Sequence, residues 1–321
     1  MKVTVICPVY NESKFILNVL DFCIKSQPIE KEVFFIDGNS TDDTCNIINR
    51  YVDQHSNIKL LHNPQRYVPF ALNKAIKLAT GDIIVRLDAH TLYAANYFEK
   101  VIEVFEKTNA DIVGGPMRIA DGNAVQDSIG YATSTSFGIG NSSFHFEDFE
   151  GFTDSVYLGA WKRKIFETTG LFDESLMRNQ DDEFHYRAKS LGFRIYQSPE
   201  IKLYYYPRSS FRTLFKQYYQ YGLYKPLVLR KIKSAISPRH IIPMGFVLYL
   251  CSLIVFAALG WYIMFVPLLL YILAACYFAA ASKKNIMQIG RIALSYSILH
   301  LSYGMGFIVG LLRLPFIKKN N

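Results

Sequence analysis

From residue 201 to residue 321 the chain carries 15 Lys and Arg and not one Asp or Glu, and within that stretch residues 241–282 have no charged side chain. As one helix these 42 residues would run roughly 63 Å at about 1.5 Å per residue, about twice a bilayer's hydrocarbon core. Gly260 and Trp261 near the middle offer a turn, which divides the run into two spans at about 241–259 and 262–281. A third uncharged run, 292–312, is also long enough to cross. A basic tail suggests an anionic partner; its hydropathy selects a membrane surface and excludes nucleic acid. The expected membrane domain is therefore 241–321, with two or three transmembrane helices.

The first 200 residues form a different electrostatic regime, with 20 Lys and Arg against 27 Asp and Glu. The opening Met1-Lys2-Val3-Thr4-Val5-Ile6-Cys7-Pro8 is too short an apolar run for a signal peptide, so this part is expected to stay in the cytosol. The five cysteines, Cys7, Cys23, Cys45, Cys251 and Cys276, form no C-x-x-C pair, which fits a reducing compartment. Short apolar runs at 3–7, 32–37, 58–62, 83–87 and 112–114 alternate with helical patterns at 12–25, 40 onward, 69–79 and 97–107. That alternation predicts an α/β fold with a mostly parallel, doubly wound sheet. Ligands in such sheets sit beyond the carboxyl ends of the strands, where Pro8–Glu12, Asp37–Thr41 and Asp88–His90 fall. Residues 122–152 read as a long loop region with short elements, 161–169 as a helix, and 184–191 as another.

Residues 208–240 hold Arg208, Arg212, Lys216, Lys225, Arg230, Lys231, Lys233 and Arg239 among Phe211, Phe215, Tyr218, Tyr219, Tyr221 and Tyr224. This composition suits helices in a lipid headgroup layer; the alternative, a helix packed on the N-terminal domain, is compatible with it. The domains expected are thus 1–207, 208–240 and 241–321. The positive-inside rule places the 230–239 cluster and Lys283, Lys284 and Arg291 in the cytosol. If 292–312 also spans, Arg313, Lys318 and Lys319 lie outside, against the rule; a tilted or re-entrant segment avoids this. Three spans are carried forward as the expectation. His300 reads as a helix-packing residue, and Gly304, Gly306 and Gly310 as sites of close helix approach.

The chain lacks G-x-G-x-x-G after its first strand, the G-x-x-x-x-G-K-[ST] loop, the G-x-S-x-G elbow and H-E-x-x-H. What it has is acidic groups at strand ends. In Asp88-Ala89-His90 strand alternation puts both polar side chains on one side, suited either to a divalent cation or to an ordinary turn. Asn179-Gln180-Asp181-Asp182-Glu183 suits the start of a helix, or a general base in a cleft.

The ordered set of motifs resembles a family 2 glycosyltransferase of the GT-A, nucleotide-diphospho-sugar fold, and more closely the succinoglycan-biosynthesis type of exopolysaccharide glycosyltransferases. The set is Pro8-Val9-Tyr10-Asn11-Glu12, Asp37-Gly38-Asn39-Ser40-Thr41-Asp42-Asp43-Thr44, Asn63-Pro64-Gln65-Arg66, Ala71-Leu72-Asn73, Arg86-Leu87-Asp88-Ala89-His90, Tyr157-Leu158-Gly159-Ala160, Gly170-Leu171-Phe172-Asp173-Glu174 and the Asp181 segment. The resemblance implies that Pro8, Tyr10, Glu12, Asp37, Arg66, Asn73 and Asp88 bind the donor nucleotide. It implies that Asp88 and His90 hold Mn²⁺ or Mg²⁺, and that Asp181 is the general base. Tyr157, Gly159, Gln180, Asp182, Arg208, Gln217, Gln220 and Tyr221 would lie on the acceptor or product side. Gly38, His90, Gln180 and Gln220-Tyr221 depart from the family's usual Asp, Asp, Glu and Arg-Trp. The last departure argues against processive synthesis.

The implied activity is transfer of one sugar, with inversion, from a UDP-sugar to a polyprenyl-diphosphate-linked saccharide in exopolysaccharide, capsule or related glycan assembly. The expected location is the cytoplasmic face of a bacterial inner membrane. Two other readings are a polyprenyl-phosphate sugar synthase and a sugar-nucleotide-binding membrane scaffold without turnover. The sequence leaves open the sugar, the acceptor and the oligomeric state.

Overall fold

A computed structural model describes residues 1–232 and 236–316. Lys233, Lys318 and Lys319, assigned above to the basic flanks, lie outside the described residues. The strands are β1 (Val3–Val9), β2 (Lys31–Asp37), β3 (Ile58–His62), β4 (Ile83–Arg86), β5 (Thr91–Tyr93), β6 (Ile112–Gly115), β7 (Met117–Ile119), β8 (Gly151–Phe152), β9 (Tyr157–Lys162), β10 (Ile195–Gln197) and β11 (Leu203–Tyr205). The helices are α1 (Ile16–Lys25), α2 (Thr44–Val52), α3 (Val68–Leu78), α4 (Tyr97–Thr108), α5 (Ala124–Thr133), α6 (Ser136–Ile139), α7 (Ile165–Thr169), α8 (Gln180–Ser190), α9 (Phe211–Lys231), α10 (Pro238–Ala258), α11 (Val266–Ala280) and α12 (Ile286–Arg313). The chain divides into two compact units, one of 1–118 with 143–205 and one of 119–142 with 206–321.

In the first unit an eight-stranded sheet has the order β3-β2-β1-β4-β9-β6-β10-β8. Pairing of β3, β2, β1 and β4 is parallel, and β9 runs antiparallel between β4 and β6. A second sheet has the order β5-β11-β7. Period-two alternation divides the central strands between two cores. Val3, Val5, Cys7 and Val9 of β1 with Val33 and Phe35 of β2 pack on one face. Ile6, Phe34 and Ile36 pack on the other, with Trp161, Phe172 and Phe184. Each fully buried side chain of this kind contributes about 1.5–3 kcal/mol. Burial on both faces explains why these strands read as continuous apolar runs.

The sheet places a topological switch point at β1. The chain winds from β1 to β2 and β3 on one side, then returns to β4 on the other. The crevice beyond the carboxyl ends of β1 and β4 is where such sheets bind ligands.

Two sequence expectations are corrected. Residues 161–169 are not one helix: Trp161 and Lys162 finish β9, and only Ile165–Thr169 is helical. The antiparallel strand is specified by its neighbours, since Trp161 pairs with Ile84 and Ile112. Residues 122–152 are also more ordered than a loop. Asn123 and Gln126 form a reciprocal capping box that starts α5, and α5 lies in the second unit, not with the first 207 residues.

In the second unit, Ile129 and Ala132 of α5 cluster with Leu214 of α9, Ala275 and Ala279 of α11, and Ile292, Tyr296 and Leu299 of α12. Within the second unit α9, from the basic and aromatic stretch 208–240, lies along α12. Glycine makes this packing possible. A Cβ on Gly222 would stand 2.1 Å from the Tyr303 carbonyl oxygen, and one on Gly306 2.1 Å from that of Tyr219. Gly304 and Gly310 approach the backbones of Pro243 and Leu223 in the same way, as the sequence suggested. His300 accordingly has a packing role: its Nδ1 is 2.9 Å from the Tyr271 hydroxyl and its Nε2 2.9 Å from the Phe137 carbonyl oxygen. Among the described residues, three helical segments are long and apolar enough to cross a membrane: Pro238–Ala258, Tyr262–Ala280 and Ile286–Phe316.

Gly306→Ala is expected to lower the apparent melting temperature in detergent, because α9 and α12 must separate; overpacking of this kind costs about 1–3 kcal/mol. Met305→Ala, at a 44% exposed position, is expected to leave the melting temperature nearly unchanged.

Candidate active site

The loops after β1 and β2 are laced together by short polar side chains. The Asn11 N–H donates to Ser40 Oγ at 2.9 Å, and the Thr41 N–H to Asn11 Oδ1 at 2.7 Å. The Glu12 N–H donates to Thr44 Oγ1 at 2.8 Å and the Ser13 N–H to Asp42 Oδ2 at 3.1 Å. Asp37, buried at the end of β2, accepts from the Ser40 N–H at 3.1 Å. Asn11, Asn39 and Arg66 take positive φ angles of 55°, 63° and 67° on the loops after β1, β2 and β3. Left-handed backbone at non-glycine residues is uncommon and clusters at functional sites; here it gathers on one edge of the sheet. The Arg66 guanidinium stands 5.9 Å from the Tyr10 ring centroid, so the two expected donor contacts share one cation–π pair. Pro8 is half-buried on β1 beside them.

The opposite wall of the crevice is the end of β4. His90 Nδ1 is 2.9 Å from Glu12 Oε1, which joins the β1 and β4 ends across the switch point. A carboxylate on one ring nitrogen is the usual way an imidazole is oriented toward a cation at the other. Asp88 supplies a carboxylate from the same strand end. One carboxylate and one oriented imidazole suit a divalent cation that takes its remaining ligands from a diphosphate. Among the described residues no three His, Cys, Asp or Glu could hold a metal by themselves.

Behind Asp88 is a residue to which the sequence assigned no role. Arg86 is 8% exposed, and its Nε and Nη2 donate to Asp88 Oδ1 at 3.1 and 3.0 Å. Burial works against its charge, but the Asp88 and Asp181 carboxylates outweigh that and hold the guanidinium above the usual arginine range. One buried cation therefore feels both the donor-side carboxylate and the expected base. The Asp88 N–H is fixed by the Tyr93 hydroxyl at 2.7 Å. Burial and then the Asp88 charge push the Tyr93 and Tyr157 phenols well above their usual range, so both remain hydrogen-bonding neutrals.

Asp181 lies in the first turn of α8, where the helix dipole favours a carboxylate. Its Oδ1 accepts from the Asp182 N–H at 2.9 Å, and Gln180 beside it is buried. Two contacts set the position of this helix. Arg187 pairs with Glu183 at 2.8 Å and donates to the Leu171 carbonyl at 2.9 Å. Asn73 holds the same turn, donating to the Phe172 carbonyl and Glu174 Oε1 and accepting from the Phe172 N–H, each at 2.9 Å. The amide of Asn73, expected among the donor contacts, is buried and bonded at both ends to this turn. Gly159 is likewise buried within β9, where a Cβ would meet Val156 at 3.2 Å. Arg208, Gln217, Gln220 and Tyr221 lie in the second unit; Arg208 donates to Gln217 at 3.2 Å, and Gln217 to the Tyr221 hydroxyl at 3.0 Å.

One turn beyond Asp181 is His185, also missed by sequence reasoning. It is 1% exposed, its Nδ1 is 2.8 Å from Ser155 Oγ, and its Nε2 has no hydrogen-bond partner among the described residues. Burial lowers its pKa, against the opposing pull of Asp181 and Asp182.

Residues 4–170 match the family described as Glycosyl transferase family 2. The chain belongs to that family. It is 31% identical over 265 residues to a dolichyl N-acetyl-alpha-D-glucosaminyl phosphate 3-beta-D-2,3-diacetamido-2,3-dideoxy-beta-D-glucuronosyltransferase of Methanococcus voltae, covering 79% of this chain and 81% of the relative. It is 28% identical over 244 residues to the succinoglycan biosynthesis protein ExoA of Rhizobium meliloti, covering 75% and 74%. The structure is similar to that of the mannosyltransferase PcManGT from Pyrobaculum calidifontis in complex with GDP-Man and Mn²⁺. The TM-score there is 0.67 at 19% identity, over 97% of this chain and 87% of that one. The fold is thus that of the GT-A glycosyltransferases, as the motifs implied.

Arg86→Lys keeps the charge but loses the planar fork. It is expected to fold and to transfer sugar with kcat/KM about tenfold lower or worse, since a hydrogen bond to a charged group is worth about 1.5–3 kcal/mol. His185 carries a pH dependence of stability. Its folded pKa lies below the unfolded value of about 6.5, so stability is expected to fall as pH drops through that value, where only the unfolded chain takes up the proton. His185→Gln should flatten the curve of melting temperature against pH between 7 and 5.

Proposed function

We propose that the protein is an inverting, membrane-anchored glycosyltransferase. It moves one sugar from a UDP-sugar to a hydroxyl of a polyprenyl-diphosphate-linked saccharide, with its catalytic unit on the cytoplasmic face. The observation that carries the reading is the crevice at the switch point, where the buried Arg86 holds Asp88 at 3.0 Å and Glu12 meets His90 at 2.9 Å. The printed name of the Methanococcus voltae relative, which specifies a dolichyl-linked sugar phosphate as acceptor, supports a lipid-linked acceptor here. The candidate membrane helices support catalysis at a membrane surface, where anchoring raises the effective concentration of such an acceptor.

The chemistry follows from the groups present. An acceptor hydroxyl is far too weak an acid to ionise at neutral pH, and Asp181 takes its proton during attack. The acceptor oxygen forms a bond to the anomeric carbon. The bond from that carbon to the diphosphate oxygen breaks, its electron pair leaving with UDP. A single displacement inverts the anomeric centre. Asp88 and His90 are the residues that would hold Mn²⁺ or Mg²⁺, whose charge would offset that of the departing diphosphate. Asp37, Tyr10, Glu12 and Arg66 orient the nucleotide, and Arg86 holds Asp88 in place.

The decisive measurement is transfer from labelled UDP-sugars into organic-extractable lipid. Asp181→Asn is expected to lose about 10²–10⁴-fold in rate, the usual contribution of general-base catalysis, while UDP binding by calorimetry stays within about threefold. EDTA should abolish transfer and added Mn²⁺ restore it. Parental transfer by folded Asp181→Asn would remove the base assignment and favour a phosphate acceptor, whose oxygen needs no base.

A further inference from the structure

Helix α12 is long and apolar enough to cross a bilayer, yet its neighbours in the second unit do not allow it to. Helices α10 and α11 form an antiparallel hairpin. The Tyr249 hydroxyl donates to the Met264 carbonyl oxygen at 2.7 Å and accepts from the Leu268 N–H at 3.1 Å, and the Phe246 and Tyr271 rings are 4.4 Å apart. The hairpin tip is therefore near Gly260, and its two feet are the start of α10 and the end of α11.

Helix α12 begins at the foot of α11, where Ile292 and Tyr296 cluster with Ala275 and Ala279. Gly304 lies 18 residues beyond Ile286, about 27 Å along the axis at 1.5 Å per residue. A helix running across the bilayer would by then have reached the hairpin tip. Instead Gly304 is still beside the first half of α10, its missing Cβ 2.2 Å from the Pro243 carbonyl oxygen and 2.7 Å from Val247, five and nine residues into that helix. The far end is tied to the same side. The Leu314 carbonyl accepts from Arg230 at 2.9 Å, and Arg230 lies eight residues before the first residue of α10.

We propose that α12 lies in the plane of the membrane across the feet of the hairpin, and that acyl chains of one leaflet cover its exposed face. That face is a stripe. Met287, Leu294, Met305 and Leu312 are 64%, 47%, 44% and 67% exposed. Their spacings of 7, 11 and 7 residues keep them within about 20° of a common line at 3.6 residues per turn. The stripe continues the apolar surface of the hairpin, where Ile242, Ile254 and Tyr262 are 66%, 77% and 71% exposed. The other side of α12 is buried protein contact: Ser295, Ser302, Gly306 and Gly310. Lys283, Lys284, Arg291 and Arg313 at its ends meet anionic headgroups, as in-plane helices require. The chain then crosses the membrane twice, and both ends of α12 share one side. The charge conflict that a third span creates disappears.

The test uses full-length protein in which Cys45, Cys251 and Cys276 are replaced by alanine, leaving only Cys7 and Cys23, which are buried in the core. Single cysteines are introduced as Trp261→Cys, Lys284→Cys and Phe316→Cys and treated with a membrane-impermeant maleimide in sealed vesicles. Lys284→Cys and Phe316→Cys are expected to react from the same side and Trp261→Cys from the other. Reaction of Phe316→Cys from the Trp261 side overturns the proposal. Fluorophores on Met287→Cys, Leu294→Cys, Met305→Cys and Leu312→Cys give an independent reading with lipids quenched at known depth. One shallow depth at all four supports an in-plane helix; a depth that changes steadily along the series, or is greatest mid-helix at the bilayer centre, overturns it. Neither readout depends on sugar transfer.

Discussion

Strand β1 is paired on both edges and buried on both faces, and the rest of the first unit is arranged around it. Because β2 and β4 flank it in parallel register, the polypeptide leaves its carboxyl end in one direction and returns on the opposite side. The backbone groups beyond that end have no strand neighbour to bond. The side chains of Asn11, Ser40, Asp42 and Thr44 bond them instead, which fixes the loops without filling the crevice. Side chains in such a crevice can be held for chemistry because the sheet beneath them cannot yield: Val3, Val5, Ile6 and Cys7 have no exposed surface.

Arg86 carries that rigidity to the reacting groups. A guanidinium this deeply buried is stable only with compensating carboxylates, and Asp88 and Asp181 supply them from two elements far apart in sequence. The cation thus links the carboxylate at the end of β4 with the one at the start of α8. Asn73 and Arg187 work one layer further out, fastening α8 through the turn at 170–174. Neither contact is visible in a local window, because each joins a side chain to a backbone carbonyl of another element.

The second unit obeys a different constraint. Its helices are apolar enough that lipid can cover them, so hydrophobicity does not choose their neighbours. Backbone approach at Gly222, Gly304, Gly306 and Gly310 does, and so do polar contacts such as His300 with Tyr271. This is why length and hydropathy mark the run of 21 uncharged residues at 292–312 as apolar, while its glycines and polar side chains choose what it packs against.

Much of this was legible in the chain itself. Period-two burial at 3–7 and 32–37 set the central strands, and the acidic and asparagine-rich strand ends marked the crevice, because both signals depend only on neighbouring residues. The motifs from Pro8 to Asp181 reached the family before any contact was known. Tertiary structure alone decided three other things. Trp161 became a strand residue because β4 and β6 offered unpaired backbone on both sides. Asn73 became a fastening because the turn at Phe172 came within reach of its amide. Arg86, one member of a motif in the sequence, became the centre of the site because folding brought two carboxylates to it. Local periodicity follows from each residue's own chemistry; which partners satisfy a buried charge, amide or helix face depends on what the fold brings beside it.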